Sequence, residues 1–304
     1  EFEFTKVLEG KDWVADEDVF AFELTPLTEG APMPAGTEDG VCTATVSKAD
    51  GQDANGNDTA TFGFGDITFA KAGEYEYRVT EVAGDNPGIA YHKDAATVVV
   101  TVTDNHNGGL VASADVKGGT FTNTYTSGQV AYDTQVGLQI QVDLIGRAMT
   151  DGQFEFTVTP DNDDAKALFG DNGTTLENDA VGLAGEAGNV STDFVTIPLN
   201  HTFTKDDAGK TFEFTVDQVA FEAEGYTDDD ATYKVAIKVA DEDGTLTVTT
   251  EVNGEIVSTA IATQQGVSEA ETVTLPFSNR YDAGTATVGG EGAAEHIAAT
   301  KTLE

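Results

Sequence analysis

Cysteine is nearly absent: Cys42 is the single example in 304 residues. One thiol excludes an intrachain disulfide, and with no Cys-x-x-Cys pair or Cys/His cluster there is no zinc-ligand pattern. Cys42 has no histidine near it in sequence, so it reads as a small apolar filler rather than a nucleophile. Basic residues are scarce too. Fifteen Lys plus Arg stand against 54 Asp plus Glu, a formal net charge of -39. Such a surface repels nucleic acid and anionic membrane, which removes both as partners, and it suits a highly soluble chain. No apolar run is long enough to cross a bilayer, and no secretory leader or sorting motif occurs. Long amphipathic helix patterns are missing as well.

Histidine is rare and scattered, at His92, His106, His201 and His296. No Ser/His/Asp arrangement can be drawn from these positions. The oxygen-rich stretch Asp50–Asp58 lacks the bidentate glutamate and the spacing of a calcium loop. Asp228-Asp229-Asp230 and Asp241-Glu242-Asp243 read as turn or strand-edge clusters. The sequence therefore calls for no cofactor and marks no metal site, and a calcium-stiffened array is a further reading, which a melting temperature unchanged by chelator would remove.

Short strands separated by turn signals are what the chain does have. Phe2 to Leu8 is the first, closed by the turn Glu9-Gly10-Lys11-Asp12. Val19–Leu24 follows, then a polar stretch from Thr25 to Asp58 interrupted by a short strand at Val41–Val46. Alternating Thr and Phe from Thr59 to Phe69 predict another strand. Gly73–Val82 and Ala96–Thr103 are strong candidates, Asn107-Gly108-Gly109 is a hairpin turn to Leu110–Val116, and Thr120–Tyr125 closes the set. This pattern predicts a Greek-key β-sandwich.

The pattern then repeats. Leu138–Leu144 lies over Phe2–Leu8, with Ile145-Gly146-Arg147 over Glu9-Gly10-Lys11. Phe154–Val158 matches Phe20–Leu24, Gly209–Val219 matches Gly73–Val82, and Phe277–Tyr281 matches Phe121–Tyr125. The joint falls near Ser127–Tyr132. The second copy is longer, and its extra length is placed in a Gly/Asp/Asn-rich insertion, Asp161–Ser191, where Ala165–Phe169 can form one helical turn. Thr300-Lys301-Thr302-Leu303-Glu304 matches Thr5–Glu9, which makes it the first strand of a third copy. Domains of 1–126 and 127–283, with 284–304 as linker and third start, follow, and the chain reads as part of a longer array.

Three polar residues break apolar strand faces in the first copy. Lys6 shares a face with Phe2, Phe4 and Leu8; Glu81 ends the face Tyr75, Tyr77, Val79; Asn123 lies between Phe121 and Tyr125. A buried ammonium needs a partner, since leaving it unpaired costs several kcal/mol. One reading is a buried Lys6–Glu81 ion pair with Asn123 as a hydrogen-bonding neighbour. The other is reactive. Desolvated lysine is a nucleophile, the asparagine carboxamide an electrophile, and a protonated glutamate can bond the amide oxygen and pass its proton to departing ammonia.

Lys-x-Leu-x-Gly on the first strand, Tyr-x-Tyr-x-Val-x-Glu in the middle and Phe-x-Asn-x-Tyr on the last resemble the repeat domains of Gram-positive pilins and surface adhesins. Those domains (CnaB-like, immunoglobulin-like) carry self-generated intramolecular isopeptide bonds. The resemblance covers essentially the whole chain, twice. It implies all-β architecture in two tandem immunoglobulin-like sandwiches, with Lys6 as nucleophile, Asn123 as acceptor and Glu81 as the catalytic acid/base. It also implies a bacterial cell-surface location, anchored to the wall or in a pilus, with neighbouring repeats as partners and no turnover enzymology. The alternative is an adhesin whose inter-strand stretches, Asp161–Ser191 or Thr25–Asp58, contact a host protein or glycan. Tyr91-His92-Lys93 is not a convincing acceptor for sortase-driven polymerisation.

The second copy departs from this pattern. Val142, Gln218 and Asn279 stand at the places of Lys6, Glu81 and Asn123. Val142 has no amine and Gln218 exchanges no proton, so no bond of this type is expected there. A neutral Gln218–Asn279 amide pair beside Val142 is the expected replacement. Lys234 and Lys238 alternate with apolar residues and face away from the core. Lys301 restores the lysine in the third start, so bonded and unbonded modules are mixed along one array.

Overall fold

The computed structural model describes residues 2–133, 137–184, 189–264 and 266–284. The third-repeat start and Lys301 lie outside the described residues, as does His296. The chain forms two compact all-β units, one mainly from residues 1–129 and the other mainly from residue 130 onward.

The first unit runs through β1 (Phe4–Glu9), β2 (Phe20–Pro26), β3 (Cys42–Val46), β4 (Gly51–Gln52), β5 (Asp58–Phe62), β6 (Gly73–Val82), β7 (Ile89–Ala90), β8 (Ala96–Asp104), β9 (Leu110–Lys117) and β10 (Thr120–Tyr125). These pair into two sheets, of order β4-β5-β1-β10-β7 and β3-β2-β6-β8-β9. Period-two alternation decides which side chains turn inward. On β8, Val98, Val100 and Val102 are buried while Thr101 and Thr103 are exposed. An aromatic cluster joins the two sheets: Phe22 of β2 stacks on Phe62 of β5 at 3.9 Å and meets Phe121 of β10 edge-on at 5.1 Å. Burying rings of this size dominates the energetics of such a core. The strand expected from Thr59 to Phe69 ends at Phe62, although Phe64 still packs against Phe4 and Phe62 without a ladder. Cys42 is buried and reduced.

The second unit repeats the plan with β11 (Gln129–Tyr132), β12 (Leu138–Ile145), β13 (Glu155–Pro160), helix α1 (Asp163–Phe169), β14 (Thr174–Glu177), β15 (Val190–Thr196), β16 (His201–Phe203), β17 (Thr211–Val219), β18 (Tyr226–Thr227), β19 (Thr232–Glu242), β20 (Thr245–Val252), β21 (Glu255–Ala262), β22 (Val267–Glu269) and β23 (Val273–Tyr281). Its sheets have orders β15-β12-β23-β18 and β14-β13-β17-β19-β20-β21, with a third of order β16-β11-β22. Phe156 and Phe277 take the places of Phe22 and Phe121, again at 5.1 Å.

Two expectations change here. The stretch from Asp161 to Ser191 is not the extra length. It joins β13 to β15 as Leu27–Asn57 joins β2 to β5, the two are close in size, and each carries the strand that pairs with the one before it. The extra length is Asn253–Thr272, carrying β21 and β22, where the first unit has only Gly118-Gly119 between β9 and β10. Within the earlier stretch, α1 is capped by Asn162, whose side chain accepts from the Ala165 N–H. The joint near Ser127–Tyr132 is also largely a strand, because Val130 and Tyr132 alternate inward and are buried.

The first strand of each matched repeat, β1 or β12, runs parallel and adjacent to its last strand, β10 or β23. Lys6 pairs with Phe121 and Leu8 with Asn123; Val142 pairs with Phe277 and Leu144 with Asn279. Gly10 and Gly146 follow these first strands at φ +87° and +92°, and a Cβ on either would sit 2.3 or 2.4 Å from the carbonyl oxygen of Tyr125 or Tyr281. Only glycine tolerates both the backbone angle and that approach.

Candidate functional site

β1 carries Lys6 into the space between the sheets of the first unit, and none of the residue is exposed. Asn123 comes from the adjacent parallel strand β10, two positions beyond the residue opposite Lys6, and is equally buried. Glu81 comes from β6 in the facing sheet, opposite Phe22. The three therefore meet at one point from three strands. Lys6 Nζ lies 3.0 Å from Glu81 Oε2, and both side chains are fully shielded from solvent. Asn123 Nδ2 donates to Glu81 Oε1 at 2.6 Å. The carboxylate thus bridges the amine and the amide nitrogen. Lys6 Nζ also stands 4.6 Å above the Phe20 ring.

The oxygen end of the Asn123 amide meets a different group. Its Oδ1 accepts from the His92 backbone N–H at 2.8 Å. A backbone N–H can only donate, so this contact fixes which end of the amide is oxygen. The expectation that Glu81 bonds the amide oxygen is corrected: the carboxylate takes the nitrogen because the chain after β7 has already supplied the oxygen's donor. Nothing in the sequence marks His92 for this task, since any residue but proline offers a backbone N–H.

Burial pushes the Lys6 ammonium down from 10.5 to about 8, with the Glu81 charge and hydrogen bond opposing but not cancelling the desolvation. With a free amine at Lys6 the folded state releases this proton near pH 8, whereas the unfolded state holds it to about 10.5. The unfolded state binds more protons between these limits, so stability rises with pH across that window, by roughly 3 kcal/mol. An Asn123→Ala chain, which leaves the amine free, should show this rise in urea unfolding relative to an Asn123→Ala/Lys6→Met chain. Parallel profiles for the two from pH 8 to 10 would refute it.

The equivalent place in the second unit is built from neutral groups. Gln218, opposite Phe156 on β17, exchanges two hydrogen bonds with Asn279: Gln218 Nε2 to Asn279 Oδ1 at 2.8 Å and Asn279 Nδ2 to Gln218 Oε1 at 2.9 Å. Val142 is fully buried at the position of Lys6. Asn279 Oδ1 also accepts from the Asp229 backbone N–H at 3.0 Å. Lys234 and Lys238 are exposed.

Two of the acidic clusters are tied into local hydrogen bonds to backbone N–H groups. Asp53 accepts from the Asn57 side chain and from the backbone N–H groups of Asn55 and Asn57, which holds its carboxyl below the usual range. Asp228 accepts from the N–H of Phe221 and of Glu222. Among the described residues no group of three or more His, Cys, Asp or Glu is arranged to hold a metal ion.

Comparison with curated proteins gives no match. Among solved structures the chain is similar to the major pilin protein T-13 from Streptococcus pyogenes, at 19% identity and a TM-score of 0.33, covering 92% of this chain and 96% of that one. It is also similar to the C-terminal fragment of the pilus adhesin SpaC from Lactobacillus rhamnosus GG, at 16% identity and a TM-score of 0.27, covering 94% of this chain and 100% of that one. A family model, the Spy0128-like isopeptide-containing domain (FctA), matches residues 2–126 and again residues 138–282. With most of its length matched, and in two copies, the chain belongs to the Spy0128-like isopeptide-containing domain family.

Proposed function

We propose that the first unit joins Lys6 Nζ to Asn123 Cγ in an isopeptide bond, once per chain, and that the chain serves as a stalk or shaft module of a Gram-positive pilus or surface adhesin. The observation that carries this reading is the buried carboxylate of Glu81 lying between the Lys6 amine and the Asn123 amide nitrogen. Desolvation weakens the hold of Nζ on its proton, and the Glu81 carboxylate 3.0 Å away is the group placed to take it and leave a neutral nucleophile. The amine attacks Cγ, and Glu81 hands the proton to Nδ2 as the Cγ–Nδ2 bond breaks. Glu81 then receives the second amine proton. The Nζ–Cγ bond forms, ammonia leaves, and no turnover follows. The single charged pair is spent in the product, so the reaction also relieves the cost of holding ions in the core.

The mechanical reading follows from the strand order. β1 and β10 run parallel, so tension on the two ends of the unit loads them in shear. A bond from Lys6 to Asn123 carries that load across the pair and keeps the strands between them out of the force path. The second unit has the same parallel pair, β12 and β23, with hydrogen bonds and packing alone. Family membership supports placement on the bacterial cell surface with other pilin-type repeats as partners. Boundaries of 1–126 and 127–283 divide the two modules. Pulling a single chain from its ends tests this: one unfolding event is expected, with the contour length of the second unit. Two events would reject the load-bearing role of the first unit.

A further inference from the structure

The two copies differ at every reactive position except the asparagine, yet they hold that asparagine in the same way. In the first unit β7 pairs with β10 through Thr124↔Ala90 and Tyr125↔Ile89, and extending this register puts His92 opposite Thr122. In the second, β18 pairs with β23 through Tyr226↔Tyr281 and Thr227↔Arg280, which extends to Asp229 opposite Ser278. At each of these places the ladder is replaced by a clasp of two hydrogen bonds. The backbone N–H of His92 donates to Asn123 Oδ1 at 2.8 Å, while its own Nδ1 accepts from the Thr122 N–H at 3.3 Å. The backbone N–H of Asp229 donates to Asn279 Oδ1 at 3.0 Å, while its own Oδ2 accepts from the Ser278 N–H at 2.6 Å. Imidazole and carboxylate share little except an acceptor atom that can reach the N–H of the residue before the asparagine.

We propose that this clasp is an oxyanion device: the His92 N–H stabilises the charge that develops on Asn123 Oδ1 when Lys6 attacks Cγ, and the His92 imidazole is the positioning group that fixes that N–H. The proposal rests on the isopeptide reading above. Negative charge appears on Oδ1 only in the tetrahedral intermediate, and Glu81 is engaged at Nδ2, so the oxygen needs a donor of its own. A backbone donor set in advance in a buried site is suited to that task, because it needs no reorganisation as the charge forms. The amide's orientation is set by the same contact, which turns Nδ2 toward the proton source. The clasp survives in the second unit, where lysine and glutamate are gone, because it also satisfies an edge N–H and a buried amide oxygen. It leaves Asn279 held as an acceptor would be.

The test separates the acceptor atom from the ring. The imidazole also packs edge-on against Phe121 at 5.3 Å. His92→Phe keeps an aromatic ring there and removes the acceptor; His92→Asp removes the ring and installs the acceptor that the second unit uses. The mass of the newly synthesised full chain is followed over time, with circular dichroism as the check on folding. Loss of ammonia is expected to slow on the order of tenfold in His92→Phe, less than outright removal of an oxyanion donor would cost, and to recover in His92→Asp. A Phe variant as fast as the parent, or an Asp variant as slow as the Phe variant, overturns the clasp while leaving the isopeptide bond standing. A parent chain that never loses ammonia overturns both.

Discussion

The intact chain is expected to weigh one ammonia less than its sequence, and a Glu81→Gln chain is expected to regain the full mass. The introduced glutamine would keep a hydrogen bond to the Asn123 amide, much as Gln218 does with Asn279. It would neither accept the Lys6 proton nor deliver one to Nδ2, so the reaction stops while the fold persists. The thermodynamic consequence is large. A link between Lys6 and Asn123 closes a loop spanning nearly all of the first unit, and in the chain-entropy model a loop of ~100 residues is worth roughly 4–5 kcal/mol. The substitution also leaves the Lys6 ammonium without its counter-charge in a site shielded from solvent. Melting of the first unit should therefore fall by on the order of 20 °C. Intact mass spectrometry and calorimetry of the two chains decide the matter. An unshifted parent mass, with Lys6 and Asn123 recovered on separate peptides, would leave only a buried ion pair with a hydrogen-bonded neighbour.

The second large effect is a gain. Val142→Lys with Gln218→Glu should install a second bond, to Asn279, and the chain should then lose two ammonias. The register supports these positions: Val142 stands to Phe277 as Lys6 stands to Phe121, and Gln218 stands to Phe156 as Glu81 stands to Phe22. The acceptor amide is already oriented by the Asp229 N–H. Lysine is larger than valine at a fully buried site, and overpacking of this kind costs about 1–3 kcal/mol. Loop closure worth roughly 4–5 kcal/mol exceeds that cost, so the reacted second unit should melt higher than the parent. Under tension the second unit should then resist unfolding as is proposed for the first. A folded double variant that loses a single ammonia would refute the equivalence of the two sites.

Much of this is legible in the residues because the informative signals are local and periodic. Alternation along Phe2–Leu8 puts Lys6 inward; alternation along β6 and β10 does the same for Glu81 and Asn123. Self-comparison of the chain exposes Val142 and Gln218 at the matching positions without reference to any structure. The lengths of connecting stretches are less readable. Asp161–Ser191 stands out by its composition, whereas the added residues lie in Asn253–Thr272, where β21 looks like one more ordinary strand and has no counterpart in the first copy.

Fold class, duplication and the three residue types that face inward are all written in side chains, as period-two patterning and as chemical contrast with apolar neighbours. Which end of the Asn123 amide meets Glu81 is not written there. That choice is made by the His92 backbone N–H, a group nearly every residue carries, brought to Asn123 Oδ1 by the register of β7 on β10. Side-chain patterns cannot mark a backbone donor; only the path of the chain around the core puts it within hydrogen-bonding distance of the amide oxygen.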